Sequence, residues 1–380
     1  MELSFYVHIP YCVKRCGYCD FNTYTPAELQ ITSGLTQISN SYIDLLIKEI
    51  DLAKTQVGAA KVPTIFFGGG TPSLMEPADI ARVINAIDEN FGLTEDCEIT
   101  LETNPDTVDK DKLAAFKSAG VNRISFGMQS AVAHVLNTLD RTHNPENLPQ
   151  VTKWAVEVGF KDISVDLIYG TPGESLSDWQ KSIDAALALP INHISAYALI
   201  VEEGTKLANA IKRSEIANTD DDLTAEKYLI ADEAFSNAGF TWYELSNWSK
   251  NSGESKHNIA YWLNKNWWGA GPGAHSHING KRWWNVKHPN LYRERLQQNI
   301  SPTLDSEVLD SMQIESERLM LLIRLPEGIA KDSLSHDQIA SLNPYLESGA
   351  INPTKWDAGS VSLTLSGRLI ADRIVRELLL

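Results

Sequence analysis

Residues 5–21 of this 380-residue chain read FYVHIPYCVKRCGYCDF, an apolar run followed at once by three cysteines. Cys12, Cys16 and Cys19 form the pattern Cys-x3-Cys-x2-Cys. This spacing suits three corners of a four-iron cluster, and three thiolates leave one iron without a protein ligand. Because an open iron can bind and activate a small molecule, the stretch predicts chemistry at iron.

Zinc and disulfides are the alternative uses of these cysteines. Structural zinc almost always takes four ligands, and the remaining cysteine, Cys97, lies far along the chain in a strand-like run. Zinc is therefore the weaker alternative. Four cysteines are too few to staple 380 residues, and this count is typical of a reducing compartment.

Composition and charge exclude several classes of protein. The chain is 43% hydrophobic and 22% charged, as in ordinary globular proteins, and it has no apolar run long enough to span a membrane. The first residues read as a strand and not as a signal peptide, so we expect a cytoplasmic protein, with peripheral membrane contact left open. The formal net charge of −16 disfavours nucleic acid as a partner.

Charge and aromatic content both change near residue 240. Residues 1–240 hold 18 Lys and Arg against 34 Asp and Glu, whereas residues 241–380 hold 15 of each. Eight of the ten tryptophans lie after residue 240. These differences predict two domains, at 1–240 and 241–380.

The first of these regions alternates between strand-like and helical patterns. Apolar runs of strand length occur at residues 5–9, 64–67, 98–101, 123–126, 163–168 and 193–199. Helical periodicity occurs between them at residues 42–57, 78–91, 110–119, 148–158 and 176–188. Six such units predict an α/β fold with a parallel sheet that curls into a partial or full barrel. Its site should lie at the carboxyl ends of the strands.

Polar and glycine-rich residues follow nearly every predicted strand. The strings are GGGTP at 68–72, ETNP at 102–105, GMQS at 127–130 and DLIYGTPG at 166–173. A triple glycine lets backbone groups approach a ligand closely. Glu102 and Asp166 need donors such as ribose hydroxyls, and Gln129 and Arg141 could hold a carboxylate. Any one of them could instead be an ordinary loop residue, but together they predict a ligand site.

The cysteine pattern and the triple glycine resemble the radical S-adenosylmethionine (SAM) superfamily. The strings YVHIP at 6–10, GGGTPS at 68–73, GMQS at 127–130, HNIAYW at 257–262 and GAGPGAHS at 269–276 are similar to those of the oxygen-independent coproporphyrinogen III oxidase group. The resemblance implies a partial (β/α)6 barrel with a [4Fe-4S] cluster on Cys12, Cys16 and Cys19, reduced by a small electron-transfer protein. It implies SAM contacts at Tyr6, Tyr18, Gly69, Gly70, Thr71, Glu102, Gln129, Arg141 and Asp166.

Two departures from the oxidases favour another branch of this group. The oxidases carry a fourth cysteine two residues after the third, where this chain has Phe21, and a long extension before the first strand. Both features are absent from the HemW-type haem chaperones, which the chain resembles most. That resemblance implies binding of haem as cargo, transfer to an acceptor protein, and no coproporphyrinogen III oxidase activity. Propionate decarboxylation of coproporphyrinogen III, or radical chemistry on an unrelated substrate, are the alternatives.

The second region carries aromatic residues that suit a flat ligand or a domain interface. Trp262, Trp267, Trp268, Trp283 and Trp284 lie close together in sequence. His257 is the candidate axial ligand for haem, although a structural histidine fits the pattern equally well. Helices at 307–324, 336–342 and 366–380 and a strand at 360–365 predict a smaller α+β, winged-helix-like covering domain.

Overall fold

The computed structural model describes residues 1–30 and 35–379, and its main element is one large sheet. The strands are β1 (Ser4–Ile9), β2 (Val62–Gly69), β3 (Leu93–Thr103), β4 (Arg123–Gln129), β5 (Asp162–Tyr169), β6 (His193–Ala198), β7 (Thr241–Glu244), β8 (Asn247–Ser249), β9 (Trp267–Ala270), β10 (His275–Ile278), β11 (Lys281–Asn285), β12 (Thr303–Val308), β13 (Ile329–Ala330) and β14 (Ser360–Val361). The helices are α1 (Leu35–Val57), α2 (Pro77–Phe91), α3 (Lys110–Ser118), α4 (Ala133–Thr138), α5 (Leu148–Glu157), α6 (Leu176–Leu187), α7 (Lys206–Lys212), α8 (Asp221–Asn237), α9 (Lys256–Trp262), α10 (Pro289–Gln297), α11 (Ser311–Leu322), α12 (His336–Glu347), α13 (Pro353–Asp357), α14 (Leu365–Arg368) and α15 (Ala371–Leu378).

Strands β1 to β6 pair in parallel and in chain order, which confirms the predicted α/β fold with a partial barrel. The barrel does not close. The other neighbour of β1 is β9, and the other neighbour of β6 is β8. Strands β1 and β6 are therefore not paired with each other, and each continues into further strands of the same sheet.

Local sequence explains where several helices begin. Pro77 occupies the first turn of α2, where its missing N–H would have no partner. At α6 the Ser175 hydroxyl accepts from the Asp178 N–H at 3.1 Å, and the Asp178 carboxylate accepts from the Ser175 N–H at 3.2 Å. This reciprocal capping box satisfies two backbone donors that have no partner within the helix.

The predicted boundary at residue 240 remains a proposal. Beyond it, β7 and β8 add to the sheet next to β6, while β9 to β12 extend it beyond β1. A separate apolar cluster begins at Leu319 and ends at Leu378, and it contains buried residues of α11, α12 and α15 together with the small β13–β14 sheet. This cluster is the core of the covering domain.

Three predictions for the covering domain need correction. Residues 307–308 belong to β12, and the helix predicted there begins at Ser311 because Asp310 caps it, accepting from the N–H groups of Met312 and Gln313. The predicted strand at 360–365 is paired in β14 only at 360–361. The predicted final helix is two helices, α14 and α15, and its last residue, Leu380, lies outside the described residues.

A buried ion pair joins the covering domain to the barrel. Arg368 of α14 donates to both carboxylate oxygens of Asp232 in α8, at 2.8 and 2.9 Å. The guanidinium lies 4.4 Å from the ring centre of Trp242, and Asp232 also accepts from the Trp248 indole at 2.9 Å. The two-pronged geometry fixes both the distance and the orientation of the two helices.

We expect Arg368→Ala to lower the free energy of unfolding by about 3 kcal/mol, because it leaves the Asp232 carboxylate buried without its partner. Chemical denaturation followed by circular dichroism measures the change. As a control, Arg213→Ala removes a pair with Glu215 in which both side chains are more than half exposed, and should leave the free energy of unfolding almost unchanged. Equal effects of the two substitutions would contradict the assigned role of Arg368.

Candidate functional site

A cavity of about 620 Å³ fills the barrel interior and opens at the carboxyl ends of the parallel strands. Every site residue that the sequence predicts lines this one cavity: Tyr6, Cys12, Cys16, Tyr18, Cys19, Gly69, Gly70, Thr71, Glu102, Gln129, Arg141, Asp166 and His257. They come from loops and strand ends far apart in sequence. The roles assigned to the individual residues remain predictions.

The three cysteines lie on the loop between β1 and α1, here called the cysteine loop (residues 10–24). Its backbone is tied to distant segments, since the Gly17 N–H donates to the Leu139 carbonyl at 3.0 Å and the Gly17 carbonyl accepts from the Leu207 N–H at 2.8 Å. A Cβ at Gly17 would lie 3.1 Å from the Cβ of Asp140, so the close approach favours glycine. Both the N–H and the carbonyl of Gly17 therefore anchor the loop to neighbouring segments.

The sulfur atoms have polar neighbours that suit thiolate ligands. The Thr71 hydroxyl lies 3.7 Å from the Cys12 Sγ, and the Arg141 guanidinium lies 3.6 Å from the Cys16 Sγ. Burial raises the pKa of Cys12, and it raises the pKa of Cys19 to about 11. Both groups are thiols at neutral pH when no metal is bound, so metal binding must release protons.

The donor set fits a cluster with three protein ligands. Cys97 does not line the cavity and lies buried at β3, with its Sγ 3.9 Å from the Glu98 carbonyl. Within residues 1–30 and 35–379, no group of three or more His, Cys, Asp or Glu side chains is arranged so that it could hold a metal ion. A four-iron cluster takes each thiolate at a different iron and does not need the three sulfurs to converge on one point.

Two carboxyl groups line the cavity, from strands β3 and β5 on either side of β4. Glu102 accepts from the Gly69 N–H at 3.2 Å, and burial, with a smaller contribution from Asp166, raises its pKa to about 8. Asp166 accepts from the Ser125 hydroxyl at 3.0 Å, and burial raises its pKa as well. The nearby hydroxyl of Thr100, which also lines the cavity, is buried without a hydrogen-bond partner. This set fits a ligand that brings its own hydroxyl groups, such as a ribose.

Arg141 and Gln129 supply further hydrogen-bond donors to the cavity. Gln129 has a φ of 61°, a left-handed conformation that is uncommon for a residue with a side chain. At Gly127 a Cβ would lie 2.9 Å from both the Arg141 and the Gln129 side-chain nitrogens, so glycine leaves room for the two groups to meet. A guanidinium and an amide side by side suit a carboxylate ligand.

His257 lies in the cavity wall with both ring nitrogens engaged. Nδ1 is 2.7 Å from the Thr64 hydroxyl, and Nε2 is 3.1 Å from the Tyr261 hydroxyl. Its ring stacks on Phe66, and burial lowers its pKa to about 3, so the imidazole is neutral. For Nε2 to coordinate a metal, its hydrogen bond with the Tyr261 hydroxyl would have to break.

Sequence reasoning missed a row of small hydroxyl residues on the barrel interior. Ser125, Ser164 and Ser195 come from β4, β5 and β6, and all three line the cavity. Ser125 is opposite Ser164, and Ser195 is opposite Asp166. Parallel strands buried on both faces are usually apolar throughout, so a serine in each of three successive strands is a signal that could have identified this surface.

Comparison with known proteins agrees with the fold and the cysteine loop. A family model described as the Radical SAM superfamily matches residues 6–186. The solved structure of coproporphyrinogen III oxidase (HemN) from Escherichia coli matches 99% of this chain and 90% of that chain, with a TM-score of 0.83 and 20% identity, which shows a shared fold. Together these findings define the class as a radical SAM protein with a covering domain.

Two relatives identify the family within this class of radical SAM proteins. The haem chaperone HemW of Mycobacterium tuberculosis (strain ATCC 25618 / H37Rv) is 42% identical over 374 residues, covering 98% of this chain and 94% of the relative. The haem chaperone HemW of Bacillus subtilis (strain 168) is 33% identical, covering 98% of this chain and 97% of the relative. The chain belongs to the HemW family.

We expect Cys16→Ala to abolish the iron–sulfur absorption of anaerobically reconstituted protein, because two thiolates hold a four-iron cluster too weakly. Iron and sulfide analysis of the same sample checks the result. Cys97→Ala is the matched control, since this cysteine is buried outside the cavity, and it should keep the full spectrum. A normal spectrum from Cys16→Ala would remove this residue from the cluster.

Proposed function

We propose that this protein binds haem and transfers it to an acceptor protein, while it carries a [4Fe-4S] cluster with an exchangeable SAM. The observation that carries the proposal is the similarity to proteins named haem chaperone HemW, at 33 to 42% identity over nearly the whole chain. The similarity covers the covering domain as well as the barrel. It therefore supports a shared function of the complete architecture.

In this proposal the cavity residues divide between the cluster and the nucleotide. Cys12, Cys16 and Cys19 hold three irons, and a small electron-transfer protein reduces the cluster. When bound and reduced, the cluster would be able to supply an electron to the sulfonium of SAM. The carboxyl groups of Glu102 and Asp166 accept hydrogen bonds from the ribose hydroxyls.

The remaining contacts orient the methionine part of the nucleotide. The Arg141 guanidinium and the Gln129 amide donate to its carboxylate. Gly69, Gly70 and Thr71 bring backbone close to it, and Tyr6 and Tyr18 supply ring surface. These assignments extend the resemblance in the motifs to individual side chains that line the cavity.

Oxidation of coproporphyrinogen III is the alternative activity. The fold shared with HemN of Escherichia coli is compatible with this activity, but a likeness at 20% identity concerns the fold alone. Phe21 weighs against it, because it stands where the oxidases carry a further cysteine. Its side chain is 62% exposed and lines the mouth of the cavity, where that cysteine would lie.

A cytoplasmic location is part of the proposal, with peripheral membrane contact left open. Among the described helices, none has the length and apolar character that crossing a bilayer requires.

One reconstituted sample tests the two activities side by side. We expect added haem to bind with a shift of the Soret band, and coproporphyrinogen III with SAM and reductant to remain unconverted. Absorption spectroscopy follows the first reaction, and chromatography of the porphyrins follows the second. Steady formation of the decarboxylated product would overturn the chaperone assignment.

The sequence predicts His257 as the axial ligand of haem, whereas its two hydrogen bonds weigh against that role, and substitution decides between the two. Because both ring nitrogens are hydrogen-bonded, we expect His257→Ala to lower the free energy of unfolding by about 1–3 kcal/mol and to leave the Soret spectrum of bound haem unchanged. His275→Ala is the control, since that imidazole is exposed and stacks on Trp284. Loss of haem affinity in His257→Ala alone would establish the axial ligand.

A further inference from the structure

Three exposed apolar side chains border the cavity and form a surface that the nucleotide site leaves unused. Val13, Phe21 and Ile200 are 67%, 62% and 71% exposed, and all three line the cavity. We call them the apolar rim. Exposed apolar side chains that border one polar cavity mark a binding surface more often than single scattered residues do.

The apolar rim lies on the segments that follow β1 and β6, the first and last of the six parallel strands. Val13 and Phe21 belong to the cysteine loop after β1, and Ile200 follows β6. The Leu207 N–H donates to the Gly17 carbonyl at 2.8 Å and so joins the chain after β6 to the cysteine loop. A ligand at the rim would therefore contact both segments.

The wall beneath the rim is also apolar. Val135, Leu139 and Ile168 form a small buried cluster, against which Tyr18 and Leu199 pack. Ile168 and Leu199 line the cavity as well. The apolar rim therefore continues into an apolar part of the cavity wall. A flat ring could cover both surfaces.

Cationic side chains stand next to this surface. Lys14 and Lys206 each lie 2.6 Å from a different oxygen of Asp140, so two ammonium groups share one carboxylate. Arg15 pairs with Glu28 at 3.3 Å. Asp20 and Glu202 also line the cavity. Two ammonium groups on one carboxylate leave one positive charge uncompensated, which suits an anionic group of a ligand.

We propose that the apolar rim is the docking site of haem, with one face of the ring on Val13, Phe21 and Ile200 and its two carboxylates at Lys14 and Lys206. This inference rests on the proposed haem-binding function. A flat apolar ring with two carboxylates at one edge matches an apolar surface that has two lysines on the same two segments of the chain. The site lies at the mouth of the cavity, apart from the polar groups of the inner wall that we assign to SAM.

Docking at the mouth also explains how transfer could work. A ring that lies on exposed side chains keeps its other face in solvent, so an acceptor protein can approach that face without opening the barrel. The site is adjacent to the cysteine loop, and therefore the state of the cluster can alter how tightly haem is held. His257 lies in the inner wall and takes no part in this site.

Haem titration of reconstituted holoprotein tests the docking site. We expect Ile200→Ser and Phe21→Ser each to weaken haem binding by about tenfold, since each removes one apolar contact with the ring. Iron–sulfur absorption checks that Phe21→Ser keeps its cluster, and Ile200 lies off the cysteine loop altogether. The matched control is Val308→Ser, on the edge strand β12 and 74% exposed, which should bind haem as the unaltered protein does.

The cationic edge is tested with haem and its dimethyl ester. Lys206→Gln should weaken the binding of haem and leave the binding of the ester unchanged. If the unaltered protein binds haem and the rim variants bind it equally tightly, the docking site is wrong while the proposed function stands. If the unaltered protein binds no haem, the proposed function fails, and the docking site fails with it.

Discussion

The close contact between the cysteine loop and the glycine loop after β2 is the constraint on which the site depends. The Gly70 N–H donates to the Ile9 carbonyl at 2.7 Å, and the Thr71 N–H donates to the Tyr11 carbonyl at 2.8 Å. A Cβ at Gly70 would lie 2.5 Å from the Tyr11 oxygen, so no other residue fits without moving the backbone. The two loops that would hold the cluster and the amino acid part of SAM are thus held in contact.

Parallel pairing of β1 with β2 brings these loops together. The polar groups of the site lower the stability of the fold, and the rest of the protein must compensate. Glu102 and Asp166 are partly buried in the cavity wall with few internal donors, an arrangement that opposes folding. The large apolar core formed by the strands and the outer helices offsets that cost. A structure that accepts buried carboxyl groups at its centre is organised around a polar ligand.

The barrel was predictable because its signals are local. Each of the six parallel strands is an apolar run, and the glycines and cysteines follow the strand ends directly. The extension of the sheet beyond residue 240 was not predictable in this way, since β9 pairs with β1 across more than 250 residues. The tryptophans that indicated a separate region include Trp267 and Trp268, which lie in β9 itself.

The partners of individual side chains could not be predicted from the sequence either. The chain around His257 gives no indication of Thr64, which lies 193 positions earlier and binds its Nδ1. The left-handed φ of Gln129 and the contact of Arg368 with Asp232 likewise follow from tertiary packing. The end of β12 near residue 308 was missed because an exposed edge strand lacks the alternation that a half-buried strand shows.

The central claim is that three cysteines leave one iron of the cluster open to SAM. Electron paramagnetic resonance of the reduced, reconstituted protein tests it directly, with and without SAM. Binding at the open iron should change the g-values of the cluster signal. A four-iron signal that SAM leaves unaltered at saturating concentration would contradict the claim.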